Sequence, residues 1–196
     1  MGKNGMGLAA LIATGVLACG QASAWAPSAD AVKTAQSGKV WYEVNPDPQG
    51  GAQLAKAVVD INAPPVVVWK LMIDCAAIRR IIPSNRGCRV LDHKPGFEVI
   101  EQISKTPLMP NVRSVFRQDE EPQKRLVITR IEGDLKVLNG EYRLQPLPGG
   151  GTRVSQELHM QPGFPAPGPL VRNFLRGEVS NGLANLKREA EAAAKS

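Results

Sequence analysis

The closing segment, residues 167–193 (PGPLVRNFLRGEVSNGLANLKREAEAA), constrains the fold more than any other stretch. Its apolar side chains fall at Leu170, Val171, Phe174, Leu175, Val179, Leu183, Leu186 and Ala190, the three-and-four spacing that stacks side chains on one face of an α-helix. Arg172, Asn173, Arg176, Lys187, Arg188 and Glu189 lie largely off that stripe, so the helix has a wet back and a dry front that must be buried. Gly177 and Gly182 sit inside the helix, although each costs about 1 kcal/mol relative to alanine. Either they let the helix pack closely on a strand, or they leave room for a ligand between helix and sheet.

Much of residues 39–160 reads as β-structure. KVWYEV (39–44) runs into the turn cluster 45–51, and QLAKAVVDI (53–61) completes a hairpin in which Leu54, Lys56 and Val58 alternate with Ala55, Ala57 and Val59. The period changes at Asn62-Ala63-Pro64-Pro65, where prolines suit a helical first turn. Val68, Trp69, Leu71, Met72 and Ile73 then form the apolar side of a short helix ending near Asp74, and a second short helix covers 76–81 until Pro83 stops it. Further strands follow, GCRVLDH, FEVIEQIS, NVRSVFRQ, KRLVITRI, KVLNGEYRLQPL and TRVSQELHM, joined by short turns that favour an antiparallel meander. The loop QPGFPAPGP (161–169) delivers the chain to the final helix.

With 196 residues the chain suits one ordinary domain and a short extra segment. Residues 1–24 read as a signal peptide: Lys3 is the positive start, Leu8 to Ala18 the apolar core, and Ala22-Ser23-Ala24 a small-residue cleavage site before Trp25. A periplasmic or secreted protein is the expectation. The alternative is a lipoprotein anchored through Cys19, although Leu17 stands at the second rather than the third place before that cysteine. Residues 25–38 are small and polar and predict a flexible leader, which leaves 39–194 as the folded domain.

Removing Lys3 with the leader leaves 23 basic against 18 acidic residues, a net charge of +5. The excess is spread along the chain rather than gathered into a block, which argues against a nucleic-acid partner. Transient contact with an anionic membrane surface, or docking on an acidic periplasmic protein through Arg172, Arg176, Lys187 and Arg188, fits this charge. Two cysteines remain, Cys75 and Cys88. A pair in an exported protein reads first as a disulfide, and His93 and His159 complete no recognised metal-ligand spacing with it.

The run VVDINAPPVVVWKLMIDCAAIRRIIP, the hairpin LPGGGTRVSQ and the closing amphipathic helix together resemble the START-like, polyketide cyclase/dehydrase superfamily, also called the helix-grip or Bet v 1-like fold. Within it, the coenzyme-Q-binding and START-type branch is the most similar. The resemblance spans about residues 52–190. It implies an α+β fold: a curved antiparallel sheet of about seven strands wrapped on the long C-terminal helix, with a hydrophobic cavity between them. It also implies a monomeric carrier of a lipid, isoprenoid quinone or polycyclic terpenoid, needing no cofactor. An aromatase/cyclase is the enzymatic alternative.

Residue chemistry favours binding over catalysis. Neither His93 nor His159 stands near a G-x-S-x-G motif, and Gly149-Gly150-Gly151 lacks the Lys and Ser/Thr of a phosphate loop. The predicted cavity lining is Trp69, Phe97, Val99, Glu101, Tyr142, Leu144, Gln156, Leu158, Phe164, Phe174, Leu175 and Val179. Glu101 and Gln156, polar among apolar strand neighbours, either form structural pairs, for Glu101 with Arg113 or Arg130, or hold the polar end of a ligand. Facing along 112–117 and 126–131 is ambiguous. Phe164 is the one large apolar residue of the 161–169 loop, whose prolines stiffen it while Gly163 and Gly168 supply bending points. That loop is the expected mouth of the cavity.

Overall fold

A computed structural model describes residues 25–106 and 109–195 of the chain; the predicted leader and Cys19 lie outside them. Eight strands form one antiparallel sheet: β1 (Trp41–Pro46), β2 (Gln53–Ile61), β3 (Asn85–Lys94), β4 (Phe97–Thr106), β5 (Met109–Glu121), β6 (Arg125–Gly133), β7 (Leu135–Pro146) and β8 (Thr152–Pro162). Their spatial order is β1-β2-β8-β7-β6-β5-β4-β3. The first hairpin thus pairs with the last strand, Ala57 opposite Gln156 and Val59 opposite Val154. The connection from β2 to β3 must cross the whole sheet, and α2 (Pro65–Ile73) and α3 (Cys75–Ile81) make it.

The closing helix α4 (Gly168–Ala193) lies over the same face. Val171, Leu175, Val179, Leu183, Leu186 and Ala190 are buried there with Ala55, Ala57, Val59 and Ile61 of β2, Val154 and Met160 of β8, and Trp69 and Met72 of α2. Strand alternation decides which β2 residues meet the helix: Ala55, Ala57 and Val59 face it, and Val58 faces the opposite way. Polar contacts clamp the C-terminal half of α4. Lys187 Nζ donates to the Asp60 carbonyl at 2.8 Å, the Asn62 N–H donates to Glu191 at 2.9 Å, and Arg80 pairs with Glu189 at 2.9 Å.

The expectation of a flexible leader over 25–38 is corrected. Residues Ala29–Gln36 form a helix, α1, on the outer side of the sheet. Ser28 caps it, its side chain accepting from the Ala31 N–H at 3.2 Å. Ala31 and Ala35, four apart and so on one face, are fully buried against Val58 beside the stacked rings of Trp25 and Trp41. The buried stripe is only two alanines wide, too small for hydrophobic periodicity to reveal.

Cys75 opens α3 and Cys88 lies in β3, with Cα atoms 5.2 Å apart in a disulfide. The bridge ties the crossing helices to the far edge strand. Asp74 caps α3, accepting from the Ala76 N–H at 2.8 Å, which fixes the approach of Cys75.

Candidate functional site: a cavity between helix and sheet

Between α4 and the concave face of the sheet lies a cavity of about 190 Å³. Phe174, Leu175, Glu178, Val179, Gly182, Leu183 and Leu186 form its helical wall, one side of α4 over three turns. Met72 of α2 and Ile78, Ile81 and Ile82 at α3 close one flank. The sheet supplies Leu126, Ile128, Leu135, Leu138, Leu158 and Met160, together with a polar strip on β4 and β5: Gln102, Ser104, Ser114 and Gln118. Gln102 is directly opposite Ser114 in the β4–β5 register, so their side chains share the inner face.

Gly182 is buried, yet a Cβ built on it would meet nothing within 4 Å. The same holds for Gly177. Close packing on a strand therefore does not explain either glycine, and at Gly182 the missing side chain leaves room that belongs to the cavity. At about 24 cal/mol per Å³, packing side chains into a fully enclosed space of this size would be worth at most roughly 4–5 kcal/mol. That is a substantial share of a typical domain stability of about 5–15 kcal/mol.

Two ionisable groups stand in the wall. Burial pushes the Tyr142 hydroxyl up to about 12, and it accepts a hydrogen bond from Gln156 Nε2 at 2.8 Å. Glu178 is half-buried on α4, and desolvation raises its carboxyl above the usual carboxylate range. The Ser84 hydroxyl, which donates to it at 2.7 Å, and the nearby Arg86 work against that rise. Among the described residues, the side chains of Gln102, Ser104 and Ser114 make no hydrogen bond to protein, so their polar atoms are free for whatever occupies the cavity.

Of the residues expected to line the cavity, Tyr142, Gln156, Leu158, Phe174, Leu175 and Val179 do so. Trp69 and Leu144 are packed in the core beside it, with 6% exposure each. Phe97, Val99 and Glu101 require correction, because they face the opposite side of the sheet. Ile100 is paired with the cavity residue Phe116, which puts every odd-numbered residue of this strand outside. There the Phe97 ring stacks under the Arg117 guanidinium, 3.8 Å from its centroid. Glu101 pairs there with Arg113 at 2.8 Å and Arg89 at 2.9 Å, and the Arg113 hydrogen bond holds its carboxyl below the usual range. Arg130 instead donates to the backbone carbonyls of Leu135 and Gly133. Both histidines are remote: His93 is exposed and pairs with Glu98, and His159 pairs with buried Asp47 at 2.5 Å.

Phe164 lines a smaller neighbouring cavity of about 70 Å³ with Pro110, Val112, Val171 and Phe174, and the two cavities share Ser104, Ser114, Leu135, Met160 and Phe174. One expected hinge beside Phe164 is not free. The Gly163 N–H donates to the Asp134 carbonyl at 2.8 Å, and a Cβ there would lie 2.6 Å from that oxygen. Gly168, at the start of α4, has open space around it.

Residues 61–187 match the family model described as polyketide cyclase / dehydrase and lipid transport. Comparison with curated protein sequences gives no match. Among solved structures, the chain is similar to a STAR-related lipid transfer protein from Xanthomonas axonopodis (17% identity, 77% of this chain and 93% of that one, TM-score 0.66). It is similar to a protein from Thermus thermophilus (21% identity, 72% and 99%, TM-score 0.64). It is also similar to the Zhui aromatase/cyclase from Streptomyces sp. R1128 (16% identity, 74% and 94%, TM-score 0.59). The match over 61–187, on an eight-stranded sheet gripping one long helix, shows that this chain belongs to the polyketide cyclase/dehydrase and lipid transport family.

Proposed function

We propose that the chain is an exported carrier that holds an apolar small molecule, a lipid, isoprenoid quinone or polycyclic terpenoid, between α4 and the sheet. The observation that carries this reading is the interior space maintained at Gly182 and walled by apolar side chains, at a cost in stability that an unused core would not bear. The family contributes the two classes between which the proposal decides, lipid transport and cyclase/dehydrase chemistry. Carriage is favoured by the state of the wall. Tyr142 keeps its proton at physiological pH, which makes it a poor base, and the histidines lie outside the cavity.

A volume of 190 Å³ is modest, close to the roughly 150 Å³ engineered void that takes up a benzene ring. A long ligand therefore enters with movement of the wall, and the 163–167 loop with Phe164 is the proposed mouth. Export is supported by the Cys75–Cys88 bridge, since such bonds persist in oxidising compartments. Organic extraction of protein purified from its own host, followed by mass spectrometry, tests carriage. A stoichiometric apolar molecule is the expected result, and protein that is empty and binds no hydrophobic probe overturns the reading. N-terminal sequencing of exported protein should begin at Trp25.

The enzymatic reading rests on Glu178, a cavity carboxyl with a raised proton affinity beside the Ser84 hydroxyl. Cyclisation or dehydration of a polyketide substrate that Glu178→Gln abolishes would establish it against simple carriage.

A further inference from the structure

Building on the ligand-binding reading, we infer that the cavity prefers an apolar molecule bearing a hydroxyl group over the corresponding carboxylate, with Glu178 and Ser84 setting that preference. Among the described residues, the cavity wall contains no lysine, arginine or histidine. Arg86, which lowers the proton affinity of Glu178, directs its guanidinium to the carbonyls of Pro83 and Asn85 at 2.9 Å, and Arg113 is held on the outer face by Glu101 and Glu132. A ligand carboxylate would enter as an unpaired anion in an apolar space that already contains Glu178, and burial of an unpaired charge is strongly unfavourable.

A hydroxyl group fits. Two carboxylate oxygens offer about four acceptor positions, and Ser84 at 2.7 Å leaves capacity for a ligand O–H. Glu178 lies on the apolar stripe of α4, four residues after Phe174 and four before Gly182, so a ligand packed on those two positions presents its polar atom to the carboxyl. The facing strip of Gln102, Ser104 and Ser114 is neutral and can both donate and accept. It suits a second hydroxyl or a carbonyl on the same molecule.

Calorimetric titration of the purified mature protein at pH 7.5 with naphthalene, 2-naphthol and 2-naphthoate tests this, because the three share one ring system and differ in the polar group. The expected order places 2-naphthol roughly tenfold tighter than naphthalene, the worth of one hydrogen bond to a charged or strongly polar acceptor. 2-Naphthoate should bind more weakly than either. Glu178→Gln removes the like charge and should shrink the naphthol-to-naphthoate ratio by roughly tenfold, and Ser84→Ala should change the naphthol affinity alone. The wild-type ranking decides the matter even if a variant fails to fold. Equal binding of all three probes, or preference for 2-naphthoate, overturns the inference while the carrier reading stands. Absence of binding by every probe overturns both.

Discussion

Replacing Gly182 with alanine separates a working cavity from a packing requirement, because the two explanations predict opposite signs. If this glycine were present to let α4 approach a strand, a methyl group would push the helix away and destabilise the fold by roughly 1–3 kcal/mol, the usual cost of overpacking. In the structure a Cβ at this position meets nothing within 4 Å. The backbone change alone is then worth about 0.8–1.0 kcal/mol in favour of alanine, from helix propensity. The methyl group enters the cavity with few partner atoms, so it adds only part of the roughly 0.8 kcal/mol of a fully buried methylene. Gly182→Ala should therefore stabilise the ligand-free protein by about 1–1.5 kcal/mol, which for a domain of this size raises Tm by roughly 2–5 °C. Gly177→Ala is the internal control: it has the same open surroundings but is not part of the cavity wall, so it should stabilise by propensity alone and leave ligand affinity unchanged. Denaturant unfolding with matched m-values, on protein stripped of bound molecules, gives the number. A loss of 1 kcal/mol or more for Gly182→Ala would refute the reasoning from open space. The paired substitution Gly182→Leu should weaken binding of a cavity probe by tenfold or more.

Opening the Cys75–Cys88 bridge by a double change to serine should cost roughly 3 kcal/mol on the chain-entropy account of a loop this size, and equal melting temperatures with and without reductant would contradict that. Gly163→Ala should destabilise while Gly168→Ala is tolerated, since only the first drives a Cβ into the Asp134 carbonyl; comparable melting curves would show that the loop yields there. Because burial raises the folded-state Glu178 above its ordinary value of 4.5, the native state binds more protons than the unfolded state between those two values. Stability contributed by the protonated form is then present below 4.5 and lost as pH rises through the folded value, so Glu178→Gln should gain on wild type across that rise; a pH-independent difference would rule it out. Phe164→Ala should alter exchange of a fluorescent lipid between vesicles with little change in Tm, whereas a drop of many degrees with unchanged exchange would assign Phe164 to the core.

Elements defined by a strong periodic signal are legible in the sequence. The α4 stripe, the proline-led α2, the β2 boundaries and the paired cysteines all have local causes that the chain states directly. Strand facing in β4 was not legible, and the reason is chemical. Its outer face carries Phe97, Val99, Glu101 and Ile103, and its inner face Glu98, Ile100, Gln102 and Ser104. The inward side is the more polar, because it borders a cavity rather than a packed core. A rule that sends the more apolar face inward fails wherever the interior must meet a ligand. Glu178 was missed for the same reason, lying on the apolar stripe of α4, where a carboxyl reads as an interruption. One signal was available: Gln102 and Ser104 on β4, and Ser114 and Gln118 on either side of Phe116 on β5, put neutral polar groups on one face of each strand, and such a row suits a surface that serves something other than water.

The distribution of polar contacts along α4 bears on how the cavity could open. Its second half is held by Lys187 to the Asp60 carbonyl, by Glu191 to the Asn62 N–H, by Glu189 to Arg80 and by Asn185 to the Ile81 carbonyl. Among the described residues, no side-chain hydrogen bond or ion pair joins residues 164–177 to another element. What holds that end is apolar contact through Val171, Phe174 and Leu175, which an incoming apolar ligand can replace in kind. A hydrogen bond broken there would leave a desolvated partner and cost about 1–3 kcal/mol, while apolar surface exchanged for apolar surface costs little. The clamp at Gly163 keeps the start of the loop on the β6–β7 turn, and at its other end a Cβ on Gly168 would meet nothing within 4 Å. This distribution of contacts favours opening at the 164–168 segment and the first turns of α4, the side on which the 70 Å³ space adjoins the main cavity. A wall pinned by polar contacts at one end and held by apolar contact at the other suits the proposed carrier, whose interior would have to enlarge beyond 190 Å³ to admit a long ligand without unfolding.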